Sequence, residues 1–426
     1  MIFAWGLLGS ESSQNARRIR TLALSRSVRF FNDRAVPGMG GVWFGKQLLL
    51  ATLGVALAEK ARSQGVKILN IAAANAVEAL ACLLAFRSNK WTRDYRLRGR
   101  MKLHGKNEDF HFRHIQQRNF YVTQPMRMAT VQALPALGFV KSDSVRFNAF
   151  SCSEAGWNFI EQATKDYRPH NRAVIDQLIR WVHGKALQPT LPLEKALSPL
   201  VALPDGAKKL LRDRIIQGGD GTREGTKRRR NALAWVERLR GGETDDKKPK
   251  EISDAHWHDL RAGKQFLKVR NAAIALLDTM ETYIGKQASG QFLSLKGEVP
   301  DVLVGGIDTL NSEAGLFLKM KHQDAEAGEF CRQCTKKSLD VLHALVERDG
   351  HVLRLVGNEV KPGPAFRGTQ SHSTSDEGED ENSPPQGDTP LPEGFSERIR
   401  NLYLLSLDMD GTLDSWLRPN ANGGKA

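Results

Sequence analysis

Apolar residues recur at helical spacing over long stretches of the chain. In the segment 72–86, Ala76, Leu80 and Leu83 lie three or four positions apart and mark one face of a helix. Shorter apolar runs at 139–140, 145–150, 351–356 and 402–407 favour strands. The pattern predicts a mainly α fold of the α+β class. Helices are predicted at 45–64, 72–86, 173–183, 207–217, 227–240, 256–284 and 336–347.

Changes in composition divide the chain into five predicted segments. A basic region spans 1–165, a helical domain spans 166–290, and a small mixed α/β region spans 291–368. Residues 369–394 are rich in Ser, Pro, Gly and acidic side chains and offer little to bury, so we expect a disordered acidic linker. The apolar tail 395–426 is expected to dock on a protein surface. The polar stretch 241–250 is expected to be a mobile loop.

Positive charge is concentrated in the first third of the chain. Residues 1–150 hold 23 Lys and Arg against 8 Asp and Glu, whereas the other 276 residues hold 39 against 40. The net charge of +14 therefore originates in the first third. A localised positive field favours nucleic acid as a partner, with an anionic membrane surface or a generic basic surface as the alternatives.

The cysteine content and the apolar runs favour a soluble cytoplasmic protein. Four cysteines in 426 residues are too few for a disulfide framework, which indicates a reducing compartment. Residues 1–9 are apolar but lack the basic start and the length of a signal peptide. The longest apolar run, 71–86, contains Asn75 and Glu78 and is shorter than the ~20 residues that a membrane span requires.

A ladder of basic side chains lies at 87–102. Spacing of three in its first half suits a helix, and spacing of two in its second half suits a strand, so we expect a helix-to-strand junction. Trp91 and Tyr95 lie within the ladder and could stack on unpaired bases or pack at a domain edge. The seven cations are Arg87, Lys90, Arg93, Arg96, Arg98, Arg100 and Lys102.

The segment 123–160 has the order helix, short hairpin, helix. Thr123 is a suitable N-terminal cap and Gly138 a suitable C-terminal cap, with an apolar face between them. Two short strands, 139–140 and 145–150, flank a polar turn. Ser153 then stands where it can cap the next helix.

This order resembles the winged helix-turn-helix family over residues 110–165. The sequence Leu-Pro-Ala-Leu-Gly-Phe-Val at 134–140 is similar to the end of a recognition helix and the first wing strand. The sequence Cys-Ser-Glu-Ala-Gly at 152–156 is similar to the step that opens the helix after the wing. Pro135 departs from the family pattern and predicts a kink one turn before the helix ends.

The resemblance implies a helix in the major groove of DNA and a wing against its backbone. It places Arg127, Thr130 and Gln132 at base edges, and Lys141 and Arg146 at the backbone. Winged helices also serve as protein-docking or dimerisation modules, which keeps a second interpretation open. The ladder adds phosphate contacts that fix register without reading sequence, from Arg93, Arg96, Arg98, Arg100 and Lys102.

Two motifs resemble catalytic sites, but each lacks a required part. Residues 40–46 fit Gly-x-x-x-x-Gly-Lys, yet Gln47 replaces the Ser or Thr that a phosphate loop needs for magnesium. The sequence Asp-Met-Asp-Gly-Thr at 408–412 resembles the nucleophile motif of haloacid-dehalogenase-like phosphatases, but too few residues follow it for the later motifs.

Two further motifs resemble ligand sites. Cys331 and Cys334 form one Cys-x-x-Cys without the second pair of a structural zinc site. The basic run 227–230 is either a solvated helix face or a second phosphate contact. We therefore expect no catalytic residue, no metal and no cofactor.

The sequence predicts a non-enzymatic DNA-binding protein of the winged-helix type, with double-stranded DNA as its nucleic acid. The predicted domain organisation suits an accessory or regulatory factor of a bacterial mobile element or defence system. Protein partners are expected through the helical body or the tail, and no membrane partner is expected. The alternative is an assembly or scaffold subunit of a multiprotein complex, and a third is an NTP-dependent enzyme that uses residues 40–46.

Overall fold

The computed structural model of the protein is mainly helical and forms two compact units. The small unit combines Met1–Phe30 with Ala262–His372, and the large unit combines Phe31–Arg261 with Ser373–Ala426. The predicted helical domain 166–290 therefore contributes residues to both units. The structure describes residues 20, 22–106, 110–117, 119–219, 222–240, 247–287, 292–368 and 389–418.

The helices and strands have the following bounds. In the amino-terminal half the helices are α1 (Ser25–Ala35), α2 (Gly45–Ser63), α3 (Asn70–Ser88), α4 (Arg100–Leu103), α5 (Phe112–Ile115), α6 (Arg127–Thr130), α7 (Ala133–Ala136), α8 (Glu154–Thr164), α9 (Val174–Val182), α10 (Leu191–Leu197) and α11 (Asp205–Gln217). They continue with α12 (Arg223–Leu239), α13 (Asp254–Gly285), α14 (Asp301–Lys319), α15 (Ala325–Cys334), α16 (Ser338–Asp349), α17 (Glu397–Asp410) and α18 (Leu413–Leu417). The strands are β1 (Val140–Lys141), β2 (Ser151–Cys152), β3 (Leu293–Ser294), β4 (Leu353–Val356) and β5 (Glu359–Pro362).

The large unit is built around the packed pair α2 and α3. Every residue of α2 from Gly45 to Ala58 is buried, because this helix is apolar around most of its circumference. Gly54 lies against the backbone of Ala74, and a methyl group at position 54 would overlap that backbone. The absence of a side chain at Gly54 thus permits the close approach of the two helices.

One helix among the described residues, α3, is long and apolar enough to cross a membrane, and 72% of its most apolar window is buried inside the protein. The core helix of a soluble protein has these same properties. The burial is consistent with the expected soluble protein.

The small unit contains α14, α15 and α16 beside a three-stranded antiparallel sheet. The strand order is β3-β5-β4, and Val360 of β5 pairs with Leu293 on one side and Leu355 on the other. In the large unit, β1 and β2 form a separate antiparallel pair in which Val140 lies opposite Cys152.

Several predicted elements are confirmed. The helices predicted at 173–183, 207–217, 227–240, 256–284 and 336–347 correspond to α9, α11, α12, α13 and α16. The Ser153 hydroxyl accepts a hydrogen bond from the Gly156 amide at 3.0 Å, so Ser153 caps α8 as expected. The strand predicted at 351–356 is observed as β4.

The predicted recognition helix, 123–138, is interrupted and consists of α6 and α7. Pro135 explains the interruption, because it has no N–H group to donate to the carbonyl of Val131. The segment still ends as expected at Gly138, whose φ is 71°. Gly138 and Phe139 donate to the carbonyls of Pro135 and Leu134, both at 2.9 Å, which is a Schellman motif.

Three strand predictions are wrong. Residues 402–407 lie inside α17, where almost every side chain from Arg398 to Met409 is buried. The second half of the basic ladder forms turns followed by α4, without a strand. In the hairpin, a 3-10 helix at Phe147–Ala149 stands where a strand was predicted, and the second strand is β2.

Two loop predictions fall partly on residues that the structure does not describe. Residues 241–246 of the predicted mobile loop and residues 369–388 of the predicted acidic linker lie outside the described residues. The tail beyond the linker is described to residue 418, and Leu402, Leu404 and Leu405 of α17 belong to the core of the large unit.

Candidate nucleic-acid interface

Arg96 of the basic ladder is buried within an ion-pair network. Its Nε and Nη2 atoms both donate to the carboxylate of Asp94 at 3.0 Å, and its Nη1 lies 2.7 Å from Asp414 Oδ1. Burial alone would raise the pKa of Asp94, but the hydrogen bonds and charge of Arg96 outweigh it and hold that pKa below its usual value. The guanidinium of Arg96 thus stabilises the fold.

This location corrects the expectation that Arg96 and Arg98 contact phosphate. Their exposed fractions are 3% and 5%, too small for a DNA strand to reach them. Sequence spacing could not separate Arg96 from the rest of the ladder, because its partner carboxylate on Asp414 lies near the other end of the chain.

The other five cations of the ladder are exposed at the surface of the large unit. Over residues 87–106 the chain has a single carboxylate, Asp94, and it is buried and engaged by Arg96 and Arg418. This stretch therefore offers exposed positive charge without an exposed acid of its own. The exposed cations are Arg87, Lys90, Arg93, Arg100 and Lys102.

Trp91 packs against its neighbours. Its ring is stacked on Phe86, with centroids 5.3 Å apart and planes 6° apart, and it meets the edge of His104 at 4.7 Å. Of the two alternatives for this tryptophan, the structure favours packing at the end of α3.

The residues expected at base edges are engaged inside the large unit. Arg127 donates from Nε to Asn75 Oδ1, and its guanidinium lies over the ring of Phe147 at 5.4 Å. Thr130 is 0% exposed, and its hydroxyl donates to the carbonyl of Arg127 at 2.8 Å. Gln132 is exposed, but its Oε1 accepts a hydrogen bond from Arg398 at 2.6 Å. Thr130 in particular cannot reach a base edge in this arrangement.

A buried carboxylate that sequence reasoning did not assign to the site, Glu78, holds the start of α6. Its two oxygens accept the backbone N–H groups of Met126 at 2.6 Å and Arg127 at 3.0 Å. Burial raises the pKa of Glu78, and these two hydrogen bonds oppose that rise. In the sequence, Glu78 stands out as a lone acidic residue in the most apolar helix. Burying a carboxylate there costs free energy unless hydrogen bonds satisfy it.

The hairpin is tied down at its base and exposed at its tip. The Asn70 side-chain amide donates to the carbonyls of Phe147 at 3.0 Å and Phe150 at 2.7 Å. Asn148 Oδ1 in turn accepts the backbone amide of Ile71 at the start of α3. Lys141 and Arg146, the two predicted backbone contacts on the hairpin, are exposed.

The phosphate-loop-like segment 40–46 is part of the core. Lys46 is 2% exposed and donates to the carbonyl of Ala196 at 2.6 Å. Burial lowers the pKa of Lys46 to about 7, although the negative charge of Asp408 acts to raise that pKa. A lysine held in this way is not presented to a nucleotide in solution.

The remaining motifs are also largely buried. Cys331 and Cys334 lie on the buried side of α15, and burial raises the pKa of Cys334 to about 12. Within the basic run 227–230, Arg228 and Arg229 are buried, and Arg228 Nη1 donates to Asp259 at 2.6 Å. This leaves Lys227 and Arg230 as the exposed cations of the run.

Comparisons with protein-family models, with curated protein sequences and with solved structures find no match to this chain.

Proposed function

We propose that the protein is a non-enzymatic DNA-binding protein that holds the phosphate backbone against the exposed part of the basic ladder. The supporting observation is the combination of exposed Arg93, Arg100 and Lys102 with a single local carboxylate, Asp94, that is buried and already paired. Exposed cations in excess over acids attract a polyanion and release its counterions on binding.

The proposal includes a winged-helix role for residues 110–165. The order α6, α7, β1, β2, α8 is compatible with that family, and the hairpin carries exposed Lys141 and Arg146. Both cations would contact the DNA backbone, which fixes orientation but carries no sequence information. We further propose a cytoplasmic location, which suits a protein with few cysteines. We also propose a role as an accessory factor of a bacterial mobile element or defence system, which suits a basic protein.

A second candidate function is protein docking through the same region. Met128 of α6 is 50% exposed and Val145 at the tip of the hairpin is 88% exposed. Exposed apolar side chains favour a protein partner where they form one patch. In that case the protein would be an assembly or scaffold subunit of a multiprotein complex and would dock its partner through the large unit.

The experiment that tests DNA binding is a salt series with a labelled duplex and the full-length chain. We expect affinity to fall steeply as salt rises, because each neutralised phosphate contributes about 0.9 to the logarithmic slope. The triple variant Arg93→Ala, Arg100→Ala, Lys102→Ala should bind more weakly and reduce that slope by up to about 3.

A matched control removes the same charge from a part of the large unit outside the ladder. The triple variant Arg168→Ala, Arg172→Ala, Lys185→Ala replaces three exposed cations outside the ladder. Its slope should stay close to that of the parent protein. Absence of binding by the parent protein at low salt to both duplex and single-stranded DNA, or equal losses in both triple variants, would overturn the proposal.

A further inference from the structure

Tyr95 is displayed to solvent from a turn whose neighbouring residues are buried. The Asp94 carbonyl accepts the Leu97 amide at 3.0 Å, and the Asp94 carboxylate accepts the Arg96 amide at 2.9 Å. Asp94, Arg96 and Leu97 are all buried, whereas Tyr95 is 46% exposed. An aromatic ring stabilises a fold mainly through the area that it buries, so packing accounts for only part of the surface of this tyrosine.

The turn that carries Tyr95 is fixed from two sides. Arg96 is held by Asp94 and Asp414, and Arg418 Nη2 donates to Asp94 Oδ2 at 3.3 Å. In the part of the chain that the structure describes, no hydrogen bond or ring contact involves the Tyr95 side chain. A ring on a rigid support loses little conformational entropy when a ligand covers it.

Exposed cations surround this ring in the sequence. Arg93 precedes Tyr95 by two residues, and Arg100 and Lys102 follow on α4. A cationic surface that presents an aromatic ring is the arrangement that proteins use for unpaired nucleic-acid strands, where bases stack on the ring and cations follow the backbone.

The ring favours unpaired bases over a duplex. Inside a duplex each base is covered on both faces by its neighbours, so a ring on a surface turn has no base face to contact. The residues expected to read a duplex are moreover engaged elsewhere, since Thr130 is buried and Arg127 is bonded to Asn75.

We infer that this surface binds single-stranded DNA, with Tyr95 stacking on an unpaired base and Arg93, Arg100 and Lys102 contacting the phosphates. The inference rests on the proposed function and narrows its ligand from DNA in general to the single strand.

The test compares three probes of matched length by fluorescence anisotropy at one ionic strength. They are an oligo(dT) of about 20 nucleotides, an abasic oligomer with the same number of phosphates, and a duplex of the same length, chosen to exceed the site size of one single-strand module. The parent protein should bind oligo(dT) more tightly than the other two. Tyr95→Ala should weaken oligo(dT) binding about fivefold or more, and should change the affinity for the abasic oligomer and the duplex less than about twofold.

Two further variants separate stacking from structural effects. Tyr95→Phe keeps the ring and should bind oligo(dT) within about twofold of the parent protein. Phe292→Ala removes an exposed aromatic ring from the small unit and should leave all three affinities unchanged. Thermal unfolding of each variant verifies that the proteins compared are folded.

The outcomes distinguish this inference from the proposed function. Tight duplex binding with no effect of Tyr95→Ala would overturn the single-strand inference and leave DNA binding intact. Equal losses on oligo(dT) and the abasic oligomer, or a loss in Tyr95→Phe as large as in Tyr95→Ala, would also overturn it. Absence of binding to every probe at low salt would overturn both.

Discussion

The carboxylate of Asp408 accepts a hydrogen bond from the backbone amide of Gly45 at 2.8 Å. Each residue belongs to a motif that resembles phosphate chemistry, Gly45 to the phosphate-loop-like segment and Asp408 to the phosphatase-like tail. Gly45 is the first residue of α2, and the N-terminus of a helix favours a negative charge. In this protein the negative charge is supplied by its own side chain, which gives both motifs a structural role.

Asp408→Ala should destabilise the large unit. The substitution leaves the buried amide of Gly45 without its acceptor and removes the negative charge that favours the Lys46 ammonium. We expect the free energy of unfolding to fall by at least about 2 kcal/mol, measured by urea denaturation.

Asp410→Ala is the matched control for this substitution. Asp410 lies two residues further along α17, forms an ion pair with Arg240 and has a side chain that is 42% exposed. Exposed ion pairs contribute little, so the loss should stay under about 1 kcal/mol. Equal losses in the two variants would contradict the structural role of Asp408.

Lys46 should make the stability of the protein depend on pH. Burial lowers its pKa to about 7 in the folded protein, below the value of 10.5 for an ordinary lysine. Between these values the unfolded chain binds the proton and the folded protein does not, so the free energy of unfolding rises with pH. Below pH 7 both states are protonated, and the folded state carries the full cost of a buried ammonium group.

Lys46→Met removes this titration. Between pH 7 and pH 9 the free energy of unfolding of the parent protein should therefore rise by roughly 2 kcal/mol more than that of the variant, since one pKa unit corresponds to about 1.4 kcal/mol. Urea denaturation over this range measures the difference, and Lys60→Met in the same helix is the control. Parallel stability curves for the parent and Lys46→Met would refute the assignment.

Arg127 and Lys141 should differ in what they support, although the family resemblance assigned both to DNA. Arg127 bonds to Asn75 and lies over Phe147, so Arg127→Ala should lower the free energy of unfolding by about 1–2 kcal/mol. Lys141 is exposed, so Lys141→Ala should leave stability within about 0.5 kcal/mol and reduce the salt slope by about 1.

Denaturation and duplex binding with two unrelated sequences distinguish these roles. A change in sequence preference in Arg127→Ala without a loss of stability would restore Arg127 as a residue that reads bases.

Local sequence features predicted the elements that depend on local interactions. The amphipathic helices and the caps at Gly138 and Ser153 were predicted because spacing and cap chemistry act within a few residues. Even the interruption of the recognition helix follows from a local property, the missing N–H group of Pro135. The short apolar run 402–407 was assigned to a strand because such runs do not distinguish a strand from a buried helix.

The candidate site was harder to predict because its geometry depends on contacts between distant residues. Spacing alone could not show that Arg96 is held by Asp414, or that Glu78 holds the start of α6. The same limit applied to the two phosphate-like motifs, whose meaning depends on the contact between Gly45 and Asp408. The concentration of positive charge was visible in the sequence, but the division into buried and exposed cations was not.

Gly54→Ala should separate α2 from α3 and lower stability strongly. Alanine normally favours a helix interior over glycine by roughly 0.5–1 kcal/mol. At position 54, however, the added methyl group would overlap the backbone of Ala74, and backbone atoms cannot move aside as a flexible side chain can. Overpacking of this kind costs about 1–3 kcal/mol or more. We therefore expect a lower midpoint of thermal unfolding.

Gly305→Ala provides the control, because a methyl group there meets nothing within 4 Å and position 305 lies inside α14. This variant should be as stable as the parent protein or slightly more stable. If Gly54→Ala behaved in the same way, the close approach of α2 and α3 at this glycine would be wrong.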